Sequence, residues 1–471
     1  MSKHSSTLYS LTYSTVILIM IATASTSFMA AHAAEPAKPN IIYIMADDLG
    51  YGDLSCYGQQ KFETPNIDRL ATEGMQFTQH YSGSTVCAPS RCSLITGMHT
   101  GHTVVRGNRE VKPEGQTPLP AGTPTLPGLL QKAGYVTGMF GKWGLGAPGS
   151  EGDPMNQGFD VFFGYNCQRH AHRYDVDYLW HNDEKVSVSP SDYTHDLIAN
   201  QAMSFIRDHQ DGPFFCYIPL TIPHAAMQVP EDDAAPFRKK WPEFEETVGR
   251  YAGSEVLNPI ARFAGMVTRM DRSVGQVLDL LNELGLDDNT LVIFTSDNGP
   301  HQEGGHDPVF FESNGPLRGI KRDLYEGGIR APMLARWPGT IAPGSNSDHV
   351  SAFWDVLPTL GDIAGFEVPG GVDGISFLPA LKGDSDTQAQ HDYLYWEFHE
   401  RGGKQAVRKG DWKAVRLNVR KNRDSPIELY DLSSDLGEAN NVADAHPEMV
   451  AEMDRLMREA RTESADFRLF E

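Results

Sequence analysis

The amino-acid sequence predicts an α/β fold: a mostly parallel sheet sandwiched by helices, followed by a small antiparallel sheet and a helix at the carboxyl end. Three apolar runs of strand length, at 41–46, 213–221 and 291–296, carry this prediction. The first run ends abruptly in two acids and glycines, as expected for a buried parallel strand whose carboxyl end forms a functional edge. Segments with helical spacing, at 64–70 and 262–286, lie between the runs and are typical of crossover helices.

Residues 1–33 are predicted to be an export signal. An apolar run at 16–22 is followed by Ala31-His32-Ala33, which has the small-x-small pattern of a cleavage site. The run is too short to span a bilayer, so we expect a periplasmic or secreted protein with no membrane insertion after cleavage. The alternative is an uncleaved anchor. We divide the remaining chain into a large domain at 34–385 and a C-terminal subdomain at 386–471.

The net charge and the number of cysteines limit the partners and the redox chemistry that we expect. The 471-residue chain carries a formal charge of −22, which argues against nucleic acid as a partner. Its cysteines number five, so an exported protein leaves one unpaired or modified. Spacing does not reveal whether the other four form disulfides.

The segment 87–97, Cys-Ala-Pro-Ser-Arg-Cys-Ser-Leu-Ile-Thr-Gly, places a thiol, a cation and a helix start together. Pro89 is preset for the first helical turn, so a helix beginning near it would direct unpaired N–H groups and its positive dipole end at Cys87. This pattern predicts an anion site. On these residues alone, the alternative is an ordinary turn before a buried helix.

The spacing Cys-x-Pro-Ser-Arg-x-x-Leu-x-Thr-Gly resembles the signature of the formylglycine-dependent sulfatases at every fixed position from Cys87 to Gly97. The resemblance implies an alkaline phosphatase-like fold. It also implies that a formylglycine-generating or sulfatase-maturating enzyme oxidises Cys87 to formylglycine, whose hydrated aldehyde supplies the nucleophile. An unmodified cysteine would lack that chemistry.

The same resemblance gives two acidic strand ends a metal-binding role. Asp47 and Asp48 follow the first predicted strand, and Asp297 and Asn298 follow the strand at 291–296. Together with an oxygen on modified Cys87 they form a hard oxygen cage, which favours Ca²⁺ over Zn²⁺, with Mg²⁺ as an acceptable substitute. Without the resemblance, such acids are more often found on solvated turns.

The sulfate group requires local cations in a chain this acidic. The resemblance supplies four catalytic or sulfate-binding candidates besides Cys87, namely Arg91, Lys142, His224 and Lys321. Lys142 follows a predicted strand at 135–140, and His224 follows the strand at 213–221. Screening beyond about 8 Å lets such nearby donors override the distant negative field, so a sulfated glycan remains an acceptable partner.

One position departs from the family pattern. A histidine commonly follows two residues after the lysine that Lys142 matches, but Gly144 stands there. That puts the proton-transfer role of the histidine in doubt. His102, His170 and His172 are the candidates to replace it, and the sequence does not choose among them.

Residues 158–180 are rich in aromatic and polar side chains with little periodicity, and we predict a long loop or insertion that contacts sugar. The alternative is an irregular buried loop. Arg169, His170, His172 and His301 are the predicted substrate-binding residues. The run from Gly144 to 166–168 is similar to bacterial sulfatases that act on galactose or N-acetylgalactosamine sulfates of chondroitin, dermatan or algal galactans.

The predicted function is therefore hydrolysis of sulfate esters on a polysaccharide or its oligosaccharides. One alternative is a non-catalytic glycan-binding protein with unmodified Cys87. Another is a phosphatase or phosphodiesterase of the same superfamily, which would use a serine or threonine nucleophile and histidine ligands for zinc. The C-terminal subdomain is predicted from strand patterns at 392–396, 412–416 and 427–432 and a helix at 447–461.

Overall fold

The structure is a computed structural model that describes residue 1 and residues 38–471. The predicted export signal, apart from Met1, lies outside the described residues. Within the described chain, every helix is too short or too polar to serve as a membrane span.

Strands and helices alternate along most of the described chain. Strands β1 to β17 are, in chain order, Asn40–Ala46, Met75–Tyr81, Val136–Lys142, Val161–Tyr165, Tyr178–His181, Glu184–Ser187, Phe214–Pro219, Val248–Tyr251, Ser254–Leu257, Thr290–Ser296, Arg330–Arg336, Ser345–Ser347, Ser351–Ala352, Leu394–Phe398, Lys404–Lys409, Trp412–Leu417 and Ile427–Asp431. Helices α1 to α11 are Pro65–Thr72, Cys87–Thr96, Leu126–Lys132, Thr194–Asp208, Glu231–Lys240, Pro259–Glu283, Pro308–Phe311, Glu326–Ile329, Val356–Ala364, Leu378–Leu381 and Pro447–Glu459.

The large sheet confirms the predicted α/β fold. Its strand order is β12-β2-β11-β10-β1-β7-β3-β4-β5-β6, with β13 beside β2. The central strands β10, β1, β7, β3 and β4 are parallel, whereas β11 and β5 continue the sheet in antiparallel orientation on either side. The sheet is therefore mixed, with a parallel centre whose carboxyl ends share one edge.

Helices cover both faces of this sheet, and the side chains of β1 point alternately into the core on each face. Ile42 and Ile44 pack with residues of α1, α4 and α6 on one face. Tyr43 and Met45 pack with residues of α2, α3 and α9 on the other. Burial on both faces explains why the strand has no alternation of polar and apolar residues after Asn40.

Residues 158–180 are not the long loop that we predicted. Val161–Tyr165 form β4, which pairs in parallel with β3, and Tyr178–His181 form β5 beside it. Phe162 and Phe163 enter opposite cores. A short strand buried on both faces shows no alternation, so the period-2 signal that identifies a strand is absent.

The carboxyl end of the chain forms the predicted antiparallel sheet, in the order β14-β15-β16-β17, with α11 packed on it. The sequence did not predict β15, because Lys404 and Arg408 are charged although both are buried. Residues 38–471 form one compact unit, and the domain boundary at 385–386 stays a prediction.

Ion pairs and hydrogen bonds from this small sheet and the loop after it fix the segment 317–328, which contains Lys321. Lys413 Nζ donates to Glu326 Oε1 at 2.8 Å, and both side chains are fully buried. The Glu326 amide donates to Glu438 Oε2 at 2.7 Å, and Lys404 Nζ donates to Asp323 at 2.8 Å. The position of the segment therefore depends on charges contributed by the C-terminal strands.

Lys413→Met should lower the free energy of unfolding by about 3–5 kcal/mol, because it leaves buried Glu326 without its main partner. Burial raises the pKa of Glu326, but Lys413 and Arg330 outweigh it and hold the pKa at about 2, below the ordinary 4.5. The wild-type protein keeps this stabilisation above pH 4.5 and loses it as the pH falls toward 2, whereas the variant should lack that part of its pH dependence.

Denaturant unfolding at neutral and acidic pH measures both effects. Lys409→Met is the matched control, since Lys409 lies on the same sheet and pairs with Glu452 in a half-exposed bridge. It should cost less than about 1 kcal/mol. Equal losses in the two variants would contradict the structural role given to Lys413.

Candidate active site

Four oxygen-bearing side chains meet where β1 and β10 end. The register that pairs Ala46 with Ser296 brings Asp47 and Asp48 beside Asp297 and Asn298. The Asp48 amide donates to Asp297 Oδ1 at 3.1 Å, and Asn298 Nδ2 donates to Asp48 Oδ1 at 2.6 Å. All four side chains are fully buried.

Cys87 is the first residue of α2, slightly before the predicted helix start near Pro89. Its Sγ lies 3.4 Å from Asp47 Oδ1, and the residue is 1% exposed. Burial raises the pKa of the Cys87 thiol, and the Asp47 carboxylate raises it further. An unmodified thiol here stays protonated and is a poor nucleophile. All five cysteines, each within residues 38–471, are free thiols.

Arg91 and Lys142 neutralise two of the buried acids. Arg91 Nη2 lies 2.7 Å from Asp297 Oδ2, and its Nη1 donates to the Lys142 carbonyl at 2.6 Å. Lys142 Nζ lies 2.6 Å from Asp47 Oδ2. Burial raises the pKa of Asp47, but the cations, led by Lys142, outweigh it and hold that pKa below its ordinary value.

Lys321 and His224 stand next to Asp48. Lys321 Nζ is 2.8 Å from Asp48 Oδ2 and 3.0 Å from His224 Nε2. Burial lowers the pKa of Lys321, but Asp48 outweighs it, so the net pKa is raised. Burial lowers the pKa of His224, and Lys321 lowers it further. At neutral pH the lysine is charged and donates to a neutral imidazole, whose Nδ1 faces the Ala225 carbonyl.

Two residues that the sequence analysis missed, Glu303 and Tyr251, border this cluster. Glu303 Oε2 lies 3.1 Å from Lys321 Nζ, and its Oε1 lies 2.6 Å from Arg322 Nη2. The Tyr251 ring centroid is 5.5 Å from that of His224. Gln-Glu-Gly-Gly at 302–305 resembles a surface turn, and Tyr251 lies in a short strand, so neither sequence context carried a signal.

Of the three candidates to replace the missing histidine, His172 is the one that lies at the cluster. Its ring stacks on His224 with centroids 4.6 Å apart and an interplanar angle of 4°. Burial lowers the pKa of His172, and His224 lowers it further, so the ring is neutral at pH 7. His102 instead bonds to Asp373 at 2.8 Å and stacks on His99.

His301 is buried behind His224, with ring centroids 5.6 Å apart. Its Nε2 contacts the Pro223 carbonyl at 3.2 Å, and its Nδ1 accepts from the Glu303 amide at 3.0 Å. The sugar contact that we predicted for His301 would require one of these bonds to break.

Arg169 and His170 line a separate cavity of 520 Å³, together with Pro113, Glu114, Asp177 and Tyr178. His170 Nδ1 lies 3.5 Å from Glu114 Oε1, and the His170 ring packs on Tyr178 with centroids 4.5 Å apart. Arg169 is exposed and pairs with Glu110 at 3.1 Å. The predicted sugar-binding residues therefore divide between the cluster and this cavity.

The buried oxygens fit a divalent cation. Asp47, Asp48, Cys87 and His224 offer ligand atoms within 4.8 Å of one another. Asn298 Oδ1 is buried and has no hydrogen-bond partner within the described chain. Burial raises the pKa of Asp297 to about 7, with a further contribution from Asp47 that opposes the effect of Arg91. A bound cation would favour the ionised form of all three acids and satisfy the free amide oxygen.

Two family models match this chain. Residues 39–366 match the model described as Sulfatase, and residues 320–463 match N-sulphoglucosamine sulphohydrolase, C-terminal. The chain belongs to the sulfatase family. It is a sulfuric ester hydrolase with an alkaline phosphatase-like fold.

Curated relatives span most of this sulfatase. The N-acetylgalactosamine-6-O-sulfatase of Bacteroides thetaiotaomicron is 32% identical, over 90% of this chain and 93% of the relative. Human arylsulfatase A is 33% identical, over 91% and 89%. The crystal structure of Ps i-CgsB in complex with k-i-k-neocarrahexaose has a TM-score of 0.76 and 28% identity, over 90% of this chain and 92% of that chain.

Adding Ca²⁺ to metal-stripped protein should raise the free energy of unfolding by about 2.7 kcal/mol at 100 times the dissociation constant, because the cation binds the folded cluster. Thermal unfolding in chelator and in increasing Ca²⁺ measures the effect. Asp48→Asn should remove most of the shift. Asp373→Asn, which alters the acid paired with His102, should keep it. A shift that Asp48→Asn leaves unchanged would place the cation elsewhere.

Proposed function

We propose that this sulfatase removes sulfate esters from a sulfated polysaccharide or its oligosaccharides, and that galactose or N-acetylgalactosamine sulfates are its preferred units. One observation carries the proposal: the buried oxygens of Asp47, Asp48, Asp297 and Asn298 lie beside Cys87 within a ring of cations. Export, Ca²⁺ binding and conversion of Cys87 to formylglycine by a maturating enzyme are parts of the same proposal.

Two relatives support a galactose-type substrate. One is named for N-acetylgalactosamine-6-O-sulfate hydrolysis, and one structural neighbour was crystallised with a neocarrahexaose. The 520 Å³ cavity beside His170 offers aromatic and charged side chains suited to a neighbouring sugar ring. A sugar bound there would pack one face of its ring on Tyr178. Its hydroxyls would hydrogen-bond to Glu114 or Arg169.

The acids and Asn298 would hold the cation, and a bound Ca²⁺ would polarise a sulfate oxygen. Modified Cys87 would supply the nucleophile at the start of α2, where the helix dipole favours negative charge. Arg91 orients Asp297 and the end of β3, since its guanidinium contacts the Asp297 carboxylate and the Lys142 carbonyl. Arg91 therefore acts through its neighbours.

Lys142 and Lys321 bind the anionic sulfate through their ammonium groups. The leaving sugar oxygen needs a proton, because an alkoxide is a poor leaving group. Lys321 carries that proton, since His224 holds its own proton on Nδ1 toward the Ala225 carbonyl and leaves Nε2 as an acceptor. His224 thus accepts a hydrogen bond from Lys321 and orients its ammonium group toward the leaving oxygen.

Asp297→Ala should lower turnover of an activated aryl sulfate by about a thousandfold, because it removes a charged cation ligand and the partner of Arg91. Steady-state kinetics measures the loss, and thermal unfolding checks that the fold survives. Asp279→Ala removes an exposed acid and is the control. Near-normal turnover in Asp297→Ala would contradict the proposed cation site.

The intact mass of each protein shows whether position 87 has been converted, so a loss of activity can be separated from a loss of maturation. An unmodified Cys87 in the native host would instead favour the glycan-binding alternative. Turnover of phosphate esters in preference to sulfate esters would favour the phosphatase alternative.

His170→Ala and His172→Ala should affect substrates differently. His170 lines the separate cavity, so its loss should lower kcat/KM on sulfated galacto-oligosaccharides by about 10-fold or more and leave a small aryl sulfate unaffected. His172 stacks on His224, so its loss should impair both substrates alike. A panel of oligosaccharides with defined sulfate positions measures the difference. Equal losses from His170→Ala on both substrates would remove the cavity from the proposed sugar site.

A further inference from the structure

The side chain of Gln168 is buried without a partner just beyond the carboxyl end of β4, the strand that pairs with β3. It is 3% exposed, and neither its Oε1 nor its Nε2 has a hydrogen-bond partner within the described chain. A carboxamide normally uses both its acceptor and its donors when it is buried, because leaving them unpaired is unfavourable. The unpaired head therefore has a free donor and a free acceptor for a polar group from outside the chain.

The backbone around Gln168 is firmly anchored, so its free head is not a sign of a loose segment. Its amide donates to Gln116 Oε1 at 2.8 Å. Two residues earlier, the Asn166 carbonyl accepts from the Gly144 amide at 3.1 Å, which extends the pairing of β3 and β4 beyond their ends. The fold thus places the Gln168 carboxamide at the same sheet edge as Lys142.

Gly144 provides the space that this side chain occupies. A Cβ atom on residue 144 would lie 2.0 Å from Gln168 Nε2, and the residue has a φ of +86°. The glycine Cα lies within about 7 Å of the Lys142 Cα, because one residue separates them. A histidine at position 144 would therefore collide with Gln168 in its present position. The glycine at 144 and the buried glutamine at 168 depend on each other.

We propose that the Gln168 carboxamide binds the sulfated substrate, with Nε2 donating to a sulfate oxygen and Oε1 accepting from an adjacent hydroxyl. A sulfate ester on a sugar presents an anionic oxygen next to hydroxyl groups, which matches a donor and an acceptor side by side. This inference rests on the proposed function. A carboxamide does not titrate near neutral pH, so Gln168 binds and does not transfer protons.

Binding of inorganic sulfate to the protein with unmodified Cys87 tests the donor contact without requiring turnover. Gln168→Met keeps the length of the side chain but cannot hydrogen-bond, and it should weaken sulfate binding by about 10- to 100-fold. Gln168→Glu should weaken it more, because a carboxylate repels sulfate. Isothermal titration calorimetry measures the dissociation constants.

Gln388→Met is the matched control. Gln388 is also a buried glutamine, but its Nε2 donates to the Ser376 carbonyl and its Oε1 accepts from the Ala380 amide. Its loss should lower stability and leave sulfate binding unchanged. Gly144→Ala is a second route, since the added Cβ should displace the Gln168 carboxamide and reproduce the weaker binding even if Gln168→Met folds poorly.

The outcomes separate this inference from the proposed function. Wild-type protein that binds sulfate, together with Lys142→Ala that does not, places the anion at the cluster. If Gln168→Met and Gly144→Ala then bind as tightly as wild type, Gln168 is a packing residue and this inference alone is overturned. If wild type does not bind sulfate, the contact inferred for Gln168 is overturned, whereas the proposed function is judged separately by turnover of sulfated oligosaccharides.

Discussion

The site depends on the pairing of each buried carboxylate with a cation, because the burial of these side chains removes the solvation that water would give them. Each of three buried carboxylates has a cation beside it: Asp47 contacts Lys142, Asp48 contacts Lys321, and Asp297 contacts Arg91. A buried ion is tolerated when a partner of opposite charge and further hydrogen bonds replace the lost water. Removing any one of these six charges therefore leaves an uncompensated charge in the protein interior.

The three cations come from different parts of the fold, which explains why so much structure surrounds a small cluster. One lies on α2, one ends β3, and one belongs to the segment 317–328. The first two are carried by the large sheet and its helices. The third depends on residues more than 70 positions further along the chain, because Lys413 of β16 and Glu438, in the loop after β17, bind Glu326.

The sequence predicted the parts of the site that lie at strand ends or inside a dense motif. Asp47 and Asp297 follow apolar runs, so their place at one sheet edge could be inferred from local pattern. Gln168, Tyr251 and Glu303 could not be found in this way. Their positions depend on pairing between strands that are distant in sequence. We predicted a loop where β4 lies, because a strand buried on both faces lacks the alternation of polar and apolar residues.

The burial of Cys87 has a consequence for the order of events in synthesis. At 1% exposure, its sulfur is out of reach of any enzyme once the strands have assembled around it. Chemistry on this residue must therefore take place on a chain that has not yet closed. Strands near the carboxyl terminus also help to fix the segment that carries Lys321, so the last residues to be translated complete the site. Under the proposed function, a chain that folds before Cys87 is modified would be a stable but inert protein.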